Sequence, residues 1–104
     1  MDDAPILFID SGIGGLPYVS AVRRTVPDRR FVYIADTAHF PYGERSAENI
    51  RDIVLRLTAA AIDRFSPRLI VVACNTASVV ALDALRSHFS LPFGGVVPAV
   101  KPAA

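Results

Sequence analysis

What this sequence lacks narrows the field before any motif is read. It has one cysteine, Cys74, so an internal disulfide is impossible and the disulfide framework of small secreted domains is excluded. Its two histidines, His39 and His88, do not stand with Cys74 at metal-ligand spacing, so no metal centre is expected. An excess of one charge is also absent. Eleven Lys and Arg oppose ten Asp and Glu, which leaves no electrostatic footprint for nucleic acid or an anionic membrane surface. No apolar run approaches the ~20 residues of a membrane-spanning helix. Asp2 and Asp3 have the wrong sign for a signal peptide, and the apolar run at 6–9 is too short for one. These absences together predict a reduced, cytoplasmic protein.

What is present is a globular composition, 52% hydrophobic and 20% charged, in 104 residues, enough for one domain with its own core. Four short apolar, β-branched runs alternate with stretches of helical period. The runs at 6–9, 31–35, 69–73 and, more weakly, 95–97 read as strands. They are continuous rather than alternating, as in parallel strands covered on both faces. A helix is expected over 16–26, with Val19, Val22 and Val26 on one side. A second is expected after Ser46, a good N-cap, to about residue 65, with Ile50, Ile53, Val54, Leu57, Ala61 and Phe65 as its stripe. A third is expected over 76–89, with Val79, Val80, Leu82, Leu85 and Phe89 mostly on one side. The βαβαβαβ order implies an α/β fold, a doubly wound parallel four-stranded sheet flanked by helices.

In such sheets ligands bind beyond the carboxyl ends of the strands. Three strands end here in polar clusters. Asp10-Ser11-Gly12-Ile13-Gly14-Gly15 follows the first, and Asp36-Thr37-Ala38-His39-Phe40-Pro41-Tyr42-Gly43-Glu44 the second. Cys74-Asn75-Thr76-Ala77-Ser78 follows the third. The glycine run begins like a dinucleotide fingerprint, but Pro17 stands where its third glycine belongs, and no Lys-Ser/Thr follows to make a P-loop. A carboxylate beside backbone amides and a hydroxyl suits a small zwitterion better, with Asp10 meeting an ammonium and the amides and hydroxyls a carboxylate. In the second cluster, Asp36 and Thr37 suit a turn, and Pro41-Tyr42-Gly43 shapes a rigid one whose amides can line a pocket.

Free cysteine is among the most buried residue types, so Cys74 reads first as core filling. Its position argues otherwise. A thiol between the end of a strand and the start of a helix faces the partial positive charge that favours a thiolate. Such a group serves as nucleophile or as general base, and the residues alone leave both open. A cysteine hydrolase would need His39 beside Cys74, since His88 lies far along the third helix.

Three longer stretches resemble glutamate racemase, of the cofactor-independent aspartate/glutamate racemase superfamily. They are Phe8-Ile9-Asp10-Ser11-Gly12-Ile13-Gly14-Gly15-Leu16, Tyr33-Ile34-Ala35-Asp36-Thr37-Ala38-His39-Phe40-Pro41-Tyr42-Gly43-Glu44-Arg45-Ser46 and Ile70-Val71-Val72-Ala73-Cys74-Asn75-Thr76-Ala77-Ser78. The resemblance runs on through Pro98-Ala99-Val100-Lys101-Pro102-Ala103, and the long second loop points to glutamate rather than aspartate. It implies interconversion of L- and D-glutamate without a cofactor, supplying D-glutamate for bacterial peptidoglycan. Two cysteines would face the α-carbon from opposite sides, Cys74 being one. Asp10 and Ser11 would contact the amino group, and Pro41, Tyr42, Gly43, Asn75 and Thr76 would lie along the substrate, its carboxylates held by Tyr42, Gly43, Asn75 and Thr76.

The family's second cysteine, in a Cys-Thr-His-type motif of a second α/β domain, has no counterpart here. The resemblance therefore implies the N-terminal half of a two-domain racemase. Residues 1–97 would form the domain carrying the first half of the site, and 98–104 would begin the crossover into a second domain. Inactivity of the 104 residues alone is the corresponding expectation, because inversion needs a proton donor on each face. The expected partners are L- and D-glutamate, the domain carrying the second cysteine, and, through apolar surface left open, a second copy of the chain. The alternatives are a related enzyme such as an aspartate racemase, the hydrolase above, and a non-catalytic ligand-binding or self-associating module.

Overall fold

A computed structural model describes residues 4–12, 14–39 and 41–96. Its elements are β1 (Ile6–Asp10), α1 (Leu16–Thr25), β2 (Phe31–Ala35), α2 (Ala47–Phe65), β3 (Leu69–Val72), α3 (Asn75–His88) and β4 (Phe93–Gly95). Two single 3-10 turns, Thr37–His39 and Tyr42–Glu44, lie between β2 and α2. The strands form one parallel sheet in the order β2-β1-β3-β4.

Successive side chains of a strand point to opposite faces, and both faces of β1 are covered. Leu7 and Ile9 join Ile70, Val72, Ile53 and Val54 under α2 and α3. Ile6 and Phe8 join Val71, Ala73 and Val19 under α1. Every residue of β1 is therefore buried, which is why it reads as an unbroken apolar run. β2 lies at the sheet edge and is only half-buried.

The expected start of α2 is present: the Ser46 hydroxyl accepts from the Asn49 amide at 3.0 Å. The helix stops where Ser66 takes a left-handed conformation, φ 47°, and Pro67 follows, so no further turn can form. Among the described residues no helix is long and apolar enough to cross a membrane.

Two expectations need correction. The fourth strand is Phe93–Gly95 rather than 95–97, and Val97 lies outside the described residues. Phe93 is buried against the α3 side and sets the strand's start. On α3, Leu85 is buried and Val80, Leu82 and Phe89 pack against the core as expected, but Val79 is 72% exposed, and the other fully buried positions are Ala77, Ser78 and Ala81. Small residues win because α3 lies close to the sheet. Ser78 donates to the Val72 carbonyl at 3.0 Å and accepts from the Val96 amide at 3.1 Å. A Cβ on Gly95 would sit 2.8 Å from that hydroxyl, so β4 passes under α3 only because glycine is there. α3 itself ends at His88, one residue earlier than expected. Residues 98–104, expected to begin a crossover, lie outside the described residues.

Candidate active site

The chain leaves β1 toward β2 and leaves β3 toward β4, in opposite directions from two adjacent strands. The carboxyl ends of β1 and β3 thus flank the switch point, where open α/β sheets form a binding crevice. Asp10 and Ser11 stand on one side of it and Cys74 on the other.

Cys74 is the N-cap of α3. Its sulfur accepts from the Ala77 amide at 3.5 Å, and its thiol donates to the Ser11 hydroxyl at 3.4 Å. The side chain is half-buried, so the sulfur is held yet reachable. It lies at the positive end of the α3 dipole, where negative charge is favoured.

Asp10 is 3% exposed, and both its oxygens are engaged. Oδ1 accepts from the Ser11 amide at 2.8 Å, and Oδ2 accepts from the Gly15 amide and the Tyr33 hydroxyl, each at 2.6 Å. The sequence suggested an ammonium partner for this carboxylate; the structure places it first as the clamp of the glycine loop. It also fills the N-terminus of α1, the place a dinucleotide's phosphates would need. Gly15 belongs to the same clamp. A Cβ there would lie 2.6 Å from the Ala73 carbonyl and 2.7 Å from Asp10 Oδ2, so only glycine lets the loop lie against the end of β3.

The second loop is built around Asp36. Its carboxylate accepts from the Tyr42 hydroxyl at 2.7 Å, and His39 Nδ1 lies 3.0 Å from both carboxylate oxygens. Burial, then the bond to Asp36, pushes the Tyr42 phenol far above its ordinary pKa, so it stays a donor. With Tyr42 only 1% exposed, its ring belongs to the core. The turn it opens packs against α3, and Tyr42 lies within electrostatic reach of Cys74. Pro41 precedes that turn, and Gly43 is exposed, with open space where a side chain would be. Arg45 holds the loop by donating to the His39 carbonyl at 3.0 Å and to Asn49 at 2.8 Å.

Asn75 is exposed and Thr76 partly so, and among the described residues neither side chain has a hydrogen-bond partner. They are free to meet a ligand. His39 is spent on Asp36, and no described contact joins it to Cys74, so the arrangement a cysteine hydrolase needs is not formed. His88 is at the far end of α3 against Phe89. Among the described residues no three His, Cys, Asp or Glu side chains converge as a metal set would.

Sequence reasoning missed Tyr33. Within an apolar strand it reads as a β-forming aromatic, and only the folded sheet brings its hydroxyl over β1. Grooves of about 840, 580 and 260 Å³ lie respectively along α1 and β2, on the outer side of α2, and beside Asp36.

Fold and site together define a parallel α/β domain with a free thiol at its switch point. The chain is related along its whole length to glutamate racemases, which are amino-acid racemases. It is 52% identical to the glutamate racemase of Mesorhizobium japonicum, across all of this chain and 40% of that protein. The structure of Escherichia coli glutamate racemase in complex with L-glutamate and the activator UDP-MurNAc-ala matches with a TM-score of 0.89 at 46% identity. That match covers 95% of this chain and 38% of the other. Thermus thermophilus glutamate racemase in complex with β-chloro-D-alanine matches with a TM-score of 0.84 at 41% identity, over 90% of this chain and 36% of that one. No family model matches the chain. The chain spans about two fifths of the length of the relatives it matches.

Proposed function

We propose that this chain carries one half of a glutamate racemase site, with Cys74 as the acid/base on one face of the substrate α-carbon. The observation that carries the reading is the placement of the Cys74 sulfur at the switch point, 3.4 Å from Ser11 and at the N-terminus of α3. The relatedness to glutamate racemases supplies the substrate class, and the complex of the Escherichia coli relative with L-glutamate supports it.

In this reading the Cys74 thiolate takes the α-proton, and the electron pair left on carbon is delocalised into the adjacent carboxylate. A second thiol, on polypeptide beyond these 104 residues, returns a proton to the opposite face. Each turnover exchanges the protonation states of the two sulfurs, and the reverse reaction restores them. No cofactor takes part. Ser11 orients the Cys74 sulfur, and with Asp10 it meets the substrate ammonium. The main chain at Pro41, Tyr42 and Gly43, with the side chains of Asn75 and Thr76, receives the carboxylates.

A single cysteine in a chain that spans about two fifths of its relatives' length supports a site completed from elsewhere, since inversion needs a proton donor on each face. Residues 1–97 act as the first domain, and 98–104 lead into the second. The 104 residues alone are inactive, and the whole protein supplies D-glutamate for peptidoglycan in the cytoplasm. A chiral assay of glutamate tests this. The longer polypeptide should racemise it, and Cys74→Ser in that polypeptide should not. Racemisation by the 104 residues alone would refute the two-thiol reading.

A further inference from the structure

The geometry points to Tyr33 as a positioning residue that fixes the Cys74 sulfur through Asp10 and Ser11, although it touches neither the sulfur nor the crevice. Four groups form the connection, Tyr33 on β2, Asp10 on β1, and Ser11 and Cys74 beyond the ends of β1 and β3. The Tyr33 hydroxyl, at the edge strand β2, donates to Asp10 Oδ2 at 2.6 Å, with the Gly12 carbonyl at 3.1 Å as a weaker second acceptor. Asp10 Oδ1 accepts from the Ser11 amide at 2.8 Å. The Ser11 hydroxyl then meets Cys74 at 3.4 Å. The phenol thus grips the glycine loop at a carboxylate before Ser11 and at a carbonyl after it. Ser11 lies between two points fixed by one hydroxyl.

The alternative is that Tyr33 merely packs. Its ring does sit against the cluster of Ile6, Phe8 and Val19, and that contact accounts for the ring. It does not account for the hydroxyl, because phenylalanine would fill the same space. Asp10 gives the hydroxyl its reason. A buried carboxylate needs donors for its lone pairs, and among the described residues the only others are the Gly15 and Ser11 amides. Removing the phenol oxygen leaves Oδ2 with Gly15 alone and releases the Gly12 carbonyl. The loop then loosens at the residue that faces the sulfur.

The inference rests on the reading of Cys74 as the reactive group, but its test does not require racemisation. Cys74 is the sole cysteine, so the rate of iodoacetamide alkylation of the 104-residue chain, followed by mass spectrometry across pH, reports on that sulfur directly. Once the thiol has given up its proton, the Ser11 hydroxyl 3.4 Å away can turn to donate to the sulfur, which favours the thiolate. Tyr33→Phe should therefore slow alkylation at neutral pH roughly two- to tenfold, the range expected for one lost hydrogen bond, and move the profile to higher pH. Ser11→Ala should do the same. The double variant should be no slower than Ser11→Ala, since both changes break one path. A purely structural role would lower the melting temperature of Tyr33→Phe while leaving its alkylation profile unchanged, and that result overturns the inference. Should Tyr33→Phe fail to fold, Ser11→Ala still decides, because an unchanged profile there breaks the last link. Failure of the racemase proposal alone would leave all these alkylation shifts in place.

Discussion

The sulfur of Cys74 and the hydroxyl oxygen of Ser11 lie 3.4 Å apart across the seam between β3 and β1, although 63 residues separate them in the chain. The seam is the switch point of the sheet, so this contact joins the two connections that diverge there. Whatever binds at this edge meets both residues at once.

Chemistry and folding separate cleanly at Cys74. Its sulfur caps α3 by accepting from the Ala77 amide, and an oxygen accepts better than sulfur. Cys74→Ser should leave stability unchanged or higher, while Cys74→Ala should lose about 0.5–1 kcal/mol, a cap's contribution. Urea unfolding of the two variants measures the difference. A large loss of stability in the serine variant would mean that the thiol serves the core.

The glycine loop should tolerate no side chain at Gly15. A Cβ would sit 2.6 Å from the Ala73 carbonyl, and neither that backbone atom nor the clamped Asp10 can move freely. Gly15→Ala should cost about 1–3 kcal/mol, the range for overpacking a rigid site. Gly43→Ala, with open space at its Cβ position, is the control and should change thermal stability little.

Alkali should unfold the protein through two of its phenols, those of Tyr33 and Tyr42. Tyr33 and Tyr42 are both pushed far above the ordinary value, by burial first and then by Asp10 and Asp36 respectively. A folded-state pKa above the unfolded one means that the unfolded chain holds fewer protons. Stability is then whole below about pH 10 and falls as pH rises beyond it. Phenolate absorbance followed alongside circular dichroism should show two tyrosines ionising only as the fold is lost. Ionisation of all three while the fold persists would contradict the assignment.

Thr58 carries a buried hydroxyl in α2 with no hydrogen-bond partner among the described residues. Thr58→Val keeps the shape and removes the unpaired group, so it should stabilise by about 1 kcal/mol. Ser78→Ala is its opposite, since it strips a partner from the Val96 amide and the Val72 carbonyl. It should cost about 1–3 kcal/mol. Denaturant midpoints of the two variants should move in opposite directions.

Much of this architecture is legible in the residues, and the misses have physical causes. β1 and β3 announce themselves because strands buried on both faces must be apolar throughout. α2 does so because it is long, capped by Ser46 and closed by Pro67. β4 is misplaced by two residues because Gly94 and Gly95 carry no strand propensity, and the demand for glycine at 95 comes from Ser78 above it. On α3, Leu85, Val80, Leu82 and Phe89 pack as expected, but Val79 points out and Ala77, Ser78 and Ala81 are missed, since close approach to a sheet selects alanine and serine over valine. At the candidate site, Cys74 stands out by its place between a strand and a helix. Tyr33 does not, because its role depends on β2 lying beside β1 in a register that sets Tyr33 against Phe8, two residues from Asp10.

The central claim is that Cys74 moves the α-proton of glutamate, and hydrogen exchange at that carbon tests it most directly. The longer polypeptide containing this chain would be incubated with D-glutamate in D2O, and configuration and Cα deuterium would be followed together. The account predicts L-glutamate carrying deuterium at Cα from the unaltered protein. It predicts neither inversion nor deuterium above the buffer control from a folded Cys74→Ser variant. Inversion by that variant at a rate near that of the unaltered protein would contradict the account.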